Sequence, residues 1–485
     1  MILKTGYPYA VSSLNPSLNY VPQKVENVYL MGICGTGMAA LAGMLKSKGC
    51  NVTGSDENVY PPMSNFLSKM NIDVKKGYNA DNIPSDTDVI IVGNVITAVN
   101  EEALKLSRLE MPYLSFPQAM MSLIFCEDRR IVVAGTHGKT TTTSMAAWLF
   151  AYAGLEPGFM VGGIPINFDS GFRIGKGSVS VIEGDEYDTA FFDKRPKFLH
   201  YKPHILILTG IEFDHADIYR DLSHVKESFR KLIKSMPNDG IIIACGDDDV
   251  VMQEITHSPC QVITYGLEHN CMKRAGHIHM DSDGTAFSLG EGAVIIKSPI
   301  YGKHNLTNVM AICALSDVFA ISENVLKGAM ESFKGVKRRQ EIIYKKDGIL
   351  VMDDFAHHPT AVKATIDAIR VHFKNKKILA AFEPRSNSSR RNVFQEYYST
   401  VFDNADMVFI PEPIFNGKEP ERFSSLQLVD DLNFRGIKAF YSTSTDEMKK
   451  KIIGEITDES IVLCMSNGNF GGLPYLIVDA LQERA

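Results

Sequence analysis

Long apolar runs are missing from this chain of 485 residues, and no stretch approaches the length of a membrane span. Cysteine pairing is missing too. The eight cysteines are scattered without a CxxC pair, and Cys245, Cys313 and Cys464 sit inside apolar runs. That usage points to reduced thiols in a cytoplasmic protein rather than a disulfide framework. Basic excess is absent as well: 50 Lys and Arg stand against 57 Asp and Glu, a net charge of −7. A nucleic-acid partner is therefore not expected, and neither is a membrane partner. Met1 to Gln23 is polar and lacks the charged start and apolar core of a signal peptide. No internal repeat or low-complexity tract occurs. What remains, 45% hydrophobic and 22% charged residues, is the composition of a soluble globular protein. Its length suits about three domains.

The most informative stretch is Gly135-Thr136-His137-Gly138-Lys139-Thr140-Thr141. It follows the apolar run Arg130 to Val133 and precedes a helix-like run from Ser144 to Phe150. Glycines let backbone N–H groups turn onto phosphate oxygens, and a helix N-terminus adds partial positive charge. Lys139 supplies a full charge, and the Thr140 hydroxyl suits Mg²⁺. The loop reads as a nucleoside triphosphate site.

Around it the chain divides into three α/β segments: 1–128, 129–335 and 336–485. The first opens with a βαβ unit, Asn27 to Met31, a helix to Lys48, and Asn51 to Asp56. Its Gly35-Thr36-Gly37 turn and Ser55-Asp56 fit a diphosphate-binding fingerprint. A dinucleotide and a UDP-sugar both fit it, and so does a tight turn with no ligand. The second segment carries the phosphate loop, further strands, and short alternating runs between Gly276 and Lys297 that predict antiparallel strands. The third alternates strand and helix, which predicts a mostly parallel sheet covered on both faces. One of its helices starts at Pro359, a favoured first-turn residue.

Several strand ends carry chemistry. Glu183-Gly184-Asp185-Glu186 and Glu212-Phe213-Asp214-His215 offer carboxylates and an imidazole for a metal beside the phosphates. Asn305 and Asn308 share a helix face and suit an adenine edge, or Asn305 is an N-cap. Asp354, His357 and His358 lie at a strand-to-helix turn, where open α/β sheets bind ligands. Arg385 suits a carboxylate or phosphate, and Asn467 stands in a glycine-rich loop in the same position. Asp193 to Lys202 is either a surface for an anionic substrate or a solvated charge run. His277 and His279 read as surface residues, and Asp247 to Asp249 as a solvated turn and helix cap.

These motifs, in this order, resemble the Mur ligases, ATP-dependent amide-bond formers of peptidoglycan synthesis. The resemblance covers nearly the whole chain. It implies a Rossmann-like UDP-binding domain, a central P-loop ATPase domain with a parallel sheet plus a small antiparallel one, and a Rossmann-like peptide-binding domain. It also implies that Lys139, Glu183 and His215 are catalytic, and that Thr140, Glu183 and His215 hold Mg²⁺. Gly135 to Thr141, Asn305, Asn308, Arg339 and Asp354 would bind ATP. Gly35, Thr36, Gly37, Ser55 and Asp56 would bind UDP-N-acetylmuramate, and His357, Arg385 and Asn467 the peptide. Finer features, such as Gly54 to Ser64 with its Pro61-Pro62 pair, resemble the branch that adds L-alanyl-γ-D-glutamyl-meso-diaminopimelate. The L-alanine-adding branch is the alternative. Several members carry a modified lysine about fifteen residues after the metal-binding histidine; by counting, Arg230 stands there.

Overall fold

Alternation along one strand shows how the sequence builds this molecule. In Arg129–Ala134, Ile131 and Val133 enter one apolar cluster while Val132 and Ala134 enter another. Successive side chains on a strand point to opposite faces, so an unbroken apolar run is a strand buried on both sides. The computed structural model describes residues 14–61, 63–268, 270–292, 294–414 and 422–483. Met1 to Ser13 and Pro62 lie outside the described residues.

Three main sheets result. The first is parallel throughout, in the order Asp73–Lys76, Asn51–Asp56, Asn27–Met31, Val89–Val92, Tyr113–Ser115. The second has ten strands. Its parallel centre runs Gln261–Gly266, Ile241–Cys245, Ile205–Leu208, Arg129–Ala134, Val179–Gly184, Gly158–Met160. The expected antiparallel strands, Lys273–Asp281, Gly284–Leu289 and Ile295–Ser298, form and continue this sheet edge to edge. The third sheet has the order Glu341–Lys346, Ile349–Asp354, Ser460–Met465, Lys377–Phe382, Met407–Pro411, Lys438–Ser442. Only Glu341–Lys346 runs antiparallel in it. Separate apolar clusters cover its two faces.

The phosphate loop is braced from behind. Helix Lys139–Tyr152 follows it and lies against helix Lys303–Val318 in one core. Phe150 is fully buried there and meets Phe319 edge-on, 4.7 Å between centroids. Phe150→Ala is expected to destabilise the protein by about 3–5 kcal/mol, the usual cost of removing a buried phenyl ring. Denaturant unfolding followed by far-UV circular dichroism checks this, and an unchanged midpoint would show that the brace carries no weight.

Candidate active site

The phosphate loop leaves the end of Arg129–Ala134 and turns on two glycines. Gly135 has φ 143° and Gly138 φ 79°, backbone conformations that a side chain disfavours. A Cβ on Gly138 would also stand 2.6 Å from Asn308 Oδ1. The turn aims Lys139 inward. Its Nζ donates to the Gly135 carbonyl at 2.6 Å and to Glu186 Oε1 and Oε2 at 2.9 and 2.8 Å. Burial disfavours the ammonium, but the Glu186 carboxylate outweighs it and raises the lysine pKa.

Two side-chain oxygens that could hold a metal sit beside it. The Thr140 hydroxyl donates to Glu183 Oε1 at 2.9 Å, and Arg339 Nη2 donates to the same hydroxyl at 3.2 Å. Glu183 Oε2 accepts the Gly162 N–H at 2.7 Å. His215 Nε2 lies 3.0 Å from Glu186 Oε1. Burial lowers the His215 pKa, yet its hydrogen bond and charge pairing with Glu186 raise it further, so the net shift is upward.

Opposite stands a polar wall. Asn305 Nδ2 donates to the Tyr301 carbonyl and Gln340 Oε1, and Asn308 Nδ2 to Asn305 Oδ1. Asn305 is not an N-cap: Gly302 holds that place, and Asn305 is the third helical residue. Asp354 accepts the backbone N–H groups of Gln340 and Ala356, both at 2.7 Å. The Arg339 guanidinium lies 4.7 Å from the Phe355 ring centroid. Gln340 Nε2 is buried without a hydrogen-bond partner. An orphaned donor on this wall is what a ligand acceptor would satisfy.

Lys139, Thr140, Glu183, His215, Gln340 and their neighbours line a cavity of about 1220 Å³. Its walls come from every segment: Thr36 and Ala40 from the first, Lys139, Glu183, His215, Asn305 and Asn308 from the second, Arg339, Asp354 and His357 from the third. That volume exceeds the usual single-ligand pocket.

Family models match in sequence along the chain. They are the Mur ligase family catalytic domain over residues 27–124, the Mur ligase middle domain over 133–316, and the Mur ligase glutamate ligase domain over 338–468. The UDP-N-acetylmuramate–L-alanyl-γ-D-glutamyl-meso-2,6-diaminoheptanedioate ligase of Escherichia coli K12 is 35% identical over 94% of this chain and 99% of its own.

The chain belongs to the Mur ligase family.

A UDP-N-acetylmuramate–L-alanine ligase of Clostridium kluyveri is 32% identical, covering 92% of this chain and 96% of its own. The solved murein peptide ligase of Psychrobacter arcticus superposes with a TM-score of 0.67 at 30% identity, covering 94% of this chain and 98% of its own. The UDP-N-acetylmuramate–alanine ligase of Thermotoga maritima superposes with a TM-score of 0.78 at 23% identity, over 95% and 100% of the two chains, a likeness of fold.

In this Mur ligase the remaining sequence-derived residues fall into different settings. Gly35 caps helix Thr36–Ser47, and Gly37 lies against Phe116. Asp56 accepts the N–H groups of Cys34 and Asn58 at 2.8 and 2.9 Å, so it shapes the glycine loop. Ser55 donates at 2.6 Å to the buried Glu102, which Tyr29 and Asn82 also bond. His357 lines the cavity, with Nδ1 2.9 Å from the Phe355 carbonyl, and burial pulls its pKa down to about 4. Arg385 is not on that wall; it lies 3.5 Å from Glu383 and 3.3 Å from Asn469. Asn467 is also away from it, and its Oδ1 is buried without a partner. Arg230 forms a two-pronged pair with Glu254 at 2.8 and 2.9 Å, away from the cavity wall. In the charge run, Lys194 pairs with Asp188, Arg195 with Asp193 and Lys197 with Asp185. Asp248 caps helix Asp249–Glu254, and His277 and His279 are exposed.

Sequence reasoning named Glu186 only as one carboxylate of the 183–186 turn, not as the partner of Lys139, and did not name Gln340. The signal for Glu186 was its place three residues after Glu183; Gln340 carried none, because its importance arises from φ 52° and contacts across the chain. Protonated His215 gains Glu186 only in the folded chain. The pair therefore adds stability at low pH and loses it as pH rises through the raised pKa. In the nucleotide-free protein, NMR titration of His215 should give a midpoint above about 6.5. Glu186→Gln should bring that midpoint down; an unmoved midpoint would break the assignment.

Proposed function

We propose that this Mur ligase joins UDP-N-acetylmuramate to L-alanyl-γ-D-glutamyl-meso-diaminopimelate, using ATP. The reading rests chiefly on one observation: Lys139, Thr140, Glu183, His215 and the Asn305–Asn308 pair face a single cavity walled by all three segments. The 35% identity to the Escherichia coli ligase over 94% of the chain supports the choice of substrates. In this assignment residues 1–128 bind the UDP-sugar, 129–335 bind ATP and 336–485 bind the peptide.

The chemistry brings anions together. The lactyl carboxylate of the sugar attacks the γ-phosphorus of ATP, and the bond to ADP breaks. The peptide amine then attacks the acyl phosphate carbonyl and loses a proton, and phosphate leaves as the amide forms. Cation placement should dominate such a transfer. Lys139 would exchange Glu186 for the β- and γ-phosphates, and backbone N–H groups of Gly135 to Thr141 would cradle them. Asn305 and Asn308 would hold adenine, with Gln340 Nε2 as a further donor; Arg339 and Asp354 would fix the nucleotide from the third segment. The oxygen donors Thr140 and Glu183, 2.9 Å apart, suit Mg²⁺, with His215 for a second ion. When bound, the metal would neutralise phosphate charge. Thr36, on the cavity wall, would meet the sugar. His357 is neutral at pH 7, and it is the peptide candidate on that wall.

Two measurements test this. Lys139→Ala should lower substrate-dependent ADP release by at least about 10²-fold in protein that circular dichroism shows to be folded; normal turnover in a folded variant would refute the phosphate assignment. With UDP-N-acetylmuramate and ATP, tripeptide should be strongly preferred over free L-alanine. The reverse preference would place the chain in the L-alanine-adding branch.

A further inference from the structure

Three metal-ligating side chains meet beside the phosphate loop, apart from Thr140 and Glu183. His137 lies in that loop, Glu212 follows strand Ile205–Leu208, and His358 is the N-cap of helix Pro359–His372. One ligand atom from each gathers with the others within 4.8 Å. Glu212 Oε2 is 3.0 Å from His137 Nε2 and 3.9 Å from His358 Nδ1.

The proton on His358 can be located. Its Nε2 faces the Phe213 carbonyl at 3.2 Å, which only accepts. Its Nδ1 faces the Thr360 N–H at 3.4 Å, which only donates. The hydrogen is therefore on Nε2, and Nδ1 presents a lone pair. Burial, aided by His137, lowers the His358 pKa against the pull of Asp214 and Glu212, so the ring is neutral. That lone pair accepts the Thr360 N–H, and Glu212 Oε2 stands 3.9 Å from the same nitrogen with no imidazole proton between them. The other Glu212 oxygen accepts from Thr360 Oγ1 at 2.6 Å. The two imidazole centroids are 4.8 Å apart, too close for both rings to carry charge without mutual repulsion.

We propose that His137 Nε2, Glu212 Oε2 and His358 Nδ1 form a binding site for a divalent ion of the zinc class, bridging the phosphate loop and the third segment. Two imidazole nitrogens and one carboxylate suit zinc or cobalt; magnesium prefers oxygen throughout. The outer contacts are in place: the Phe213 carbonyl orients His358, and Thr360 orients Glu212. Atoms bound tetrahedrally to one zinc lie about 3.3 Å apart, so the 3.0 Å pair already fits and the others close by side-chain rotation. The His137 proton shifts to Nδ1, or leaves, when Nε2 binds. A fourth position stays open for water.

The test uses the whole protein, stripped of metal and free of nucleotide, in millimolar Mg²⁺. It is titrated with Co²⁺ alone and followed by visible d–d absorption. One equivalent should bind with the intense bands of a low-coordinate, imidazole-ligated ion. Glu212→Gln and His358→Gln should each weaken binding at least about tenfold, while Glu183→Gln should leave the bands in place. Melting curves establish which variants are folded, and either of the first two suffices. Absent bands, bands untouched in a folded Glu212→Gln or His358→Gln protein, or bands lost in a folded Glu183→Gln protein would overturn the site. No substrate is involved, so the outcome is separable from that of the ligase reading.

Discussion

The Lys139 ammonium lies inside the protein, held by both oxygens of a Glu186 that is itself almost wholly buried. Taking a charge out of water costs several kcal/mol unless a partner and hydrogen bonds replace the solvent. Here the replacement is the loop carbonyls and one carboxylate, and that carboxylate also meets His215. The ammonium, the carboxylate and the imidazole therefore form one electrostatic unit. A polyanion entering the cavity competes with Glu186 for the lysine. In the proposed reading, nucleotide binding would be an exchange of counter-ions that leaves Glu186 available beside His215.

The same geometry couples the segments. The third segment reaches the phosphate loop through Arg339 on Thr140, and the turn after strand Ile205–Leu208 through Thr360 on Glu212. It reaches the His215 turn through Ser388 on Asp214 and Arg391 on the Ala216 carbonyl. All of these are polar contacts. Apolar contact accompanies them: Tyr301 belongs to the third segment's apolar cluster, edge-on to Phe373, and Phe213 packs against the same cluster. The first segment shares a cluster with the second that runs from Val28 through Phe125 to Leu208.

Much of the architecture was legible because its strands are short apolar runs ended by glycine or carboxylate turns. Strand Asn27–Met31 has its sequence-predicted limits, and helix Pro359–His372 starts at the predicted proline. The unread elements lack that signature. Asp73–Lys76 is mostly exposed, Glu341–Lys346 is a charged edge strand, and Phe172–Arg173 is two residues long. Hydrogen bonds to a neighbour define them, and no local pattern does. At position 230 the fold adds what counting does not: helix Leu222–Lys234 turns Arg230 toward Glu254.

By itself the sequence determined the order of strands and helices, the glycine turn that aims Lys139, and the carboxylates at strand ends. Each depends on residues near one another in the chain, through side-chain alternation, the conformational freedom of glycine, and helix-start chemistry. Tertiary structure alone decided which of those groups meet. Glu186 faces Lys139, Gln340 joins Asn305, and Arg385 stays off the cavity wall where His357 stands. These are encounters across tens to hundreds of residues, set by sheet order and by burial, which pairs or neutralises each charge it removes from water.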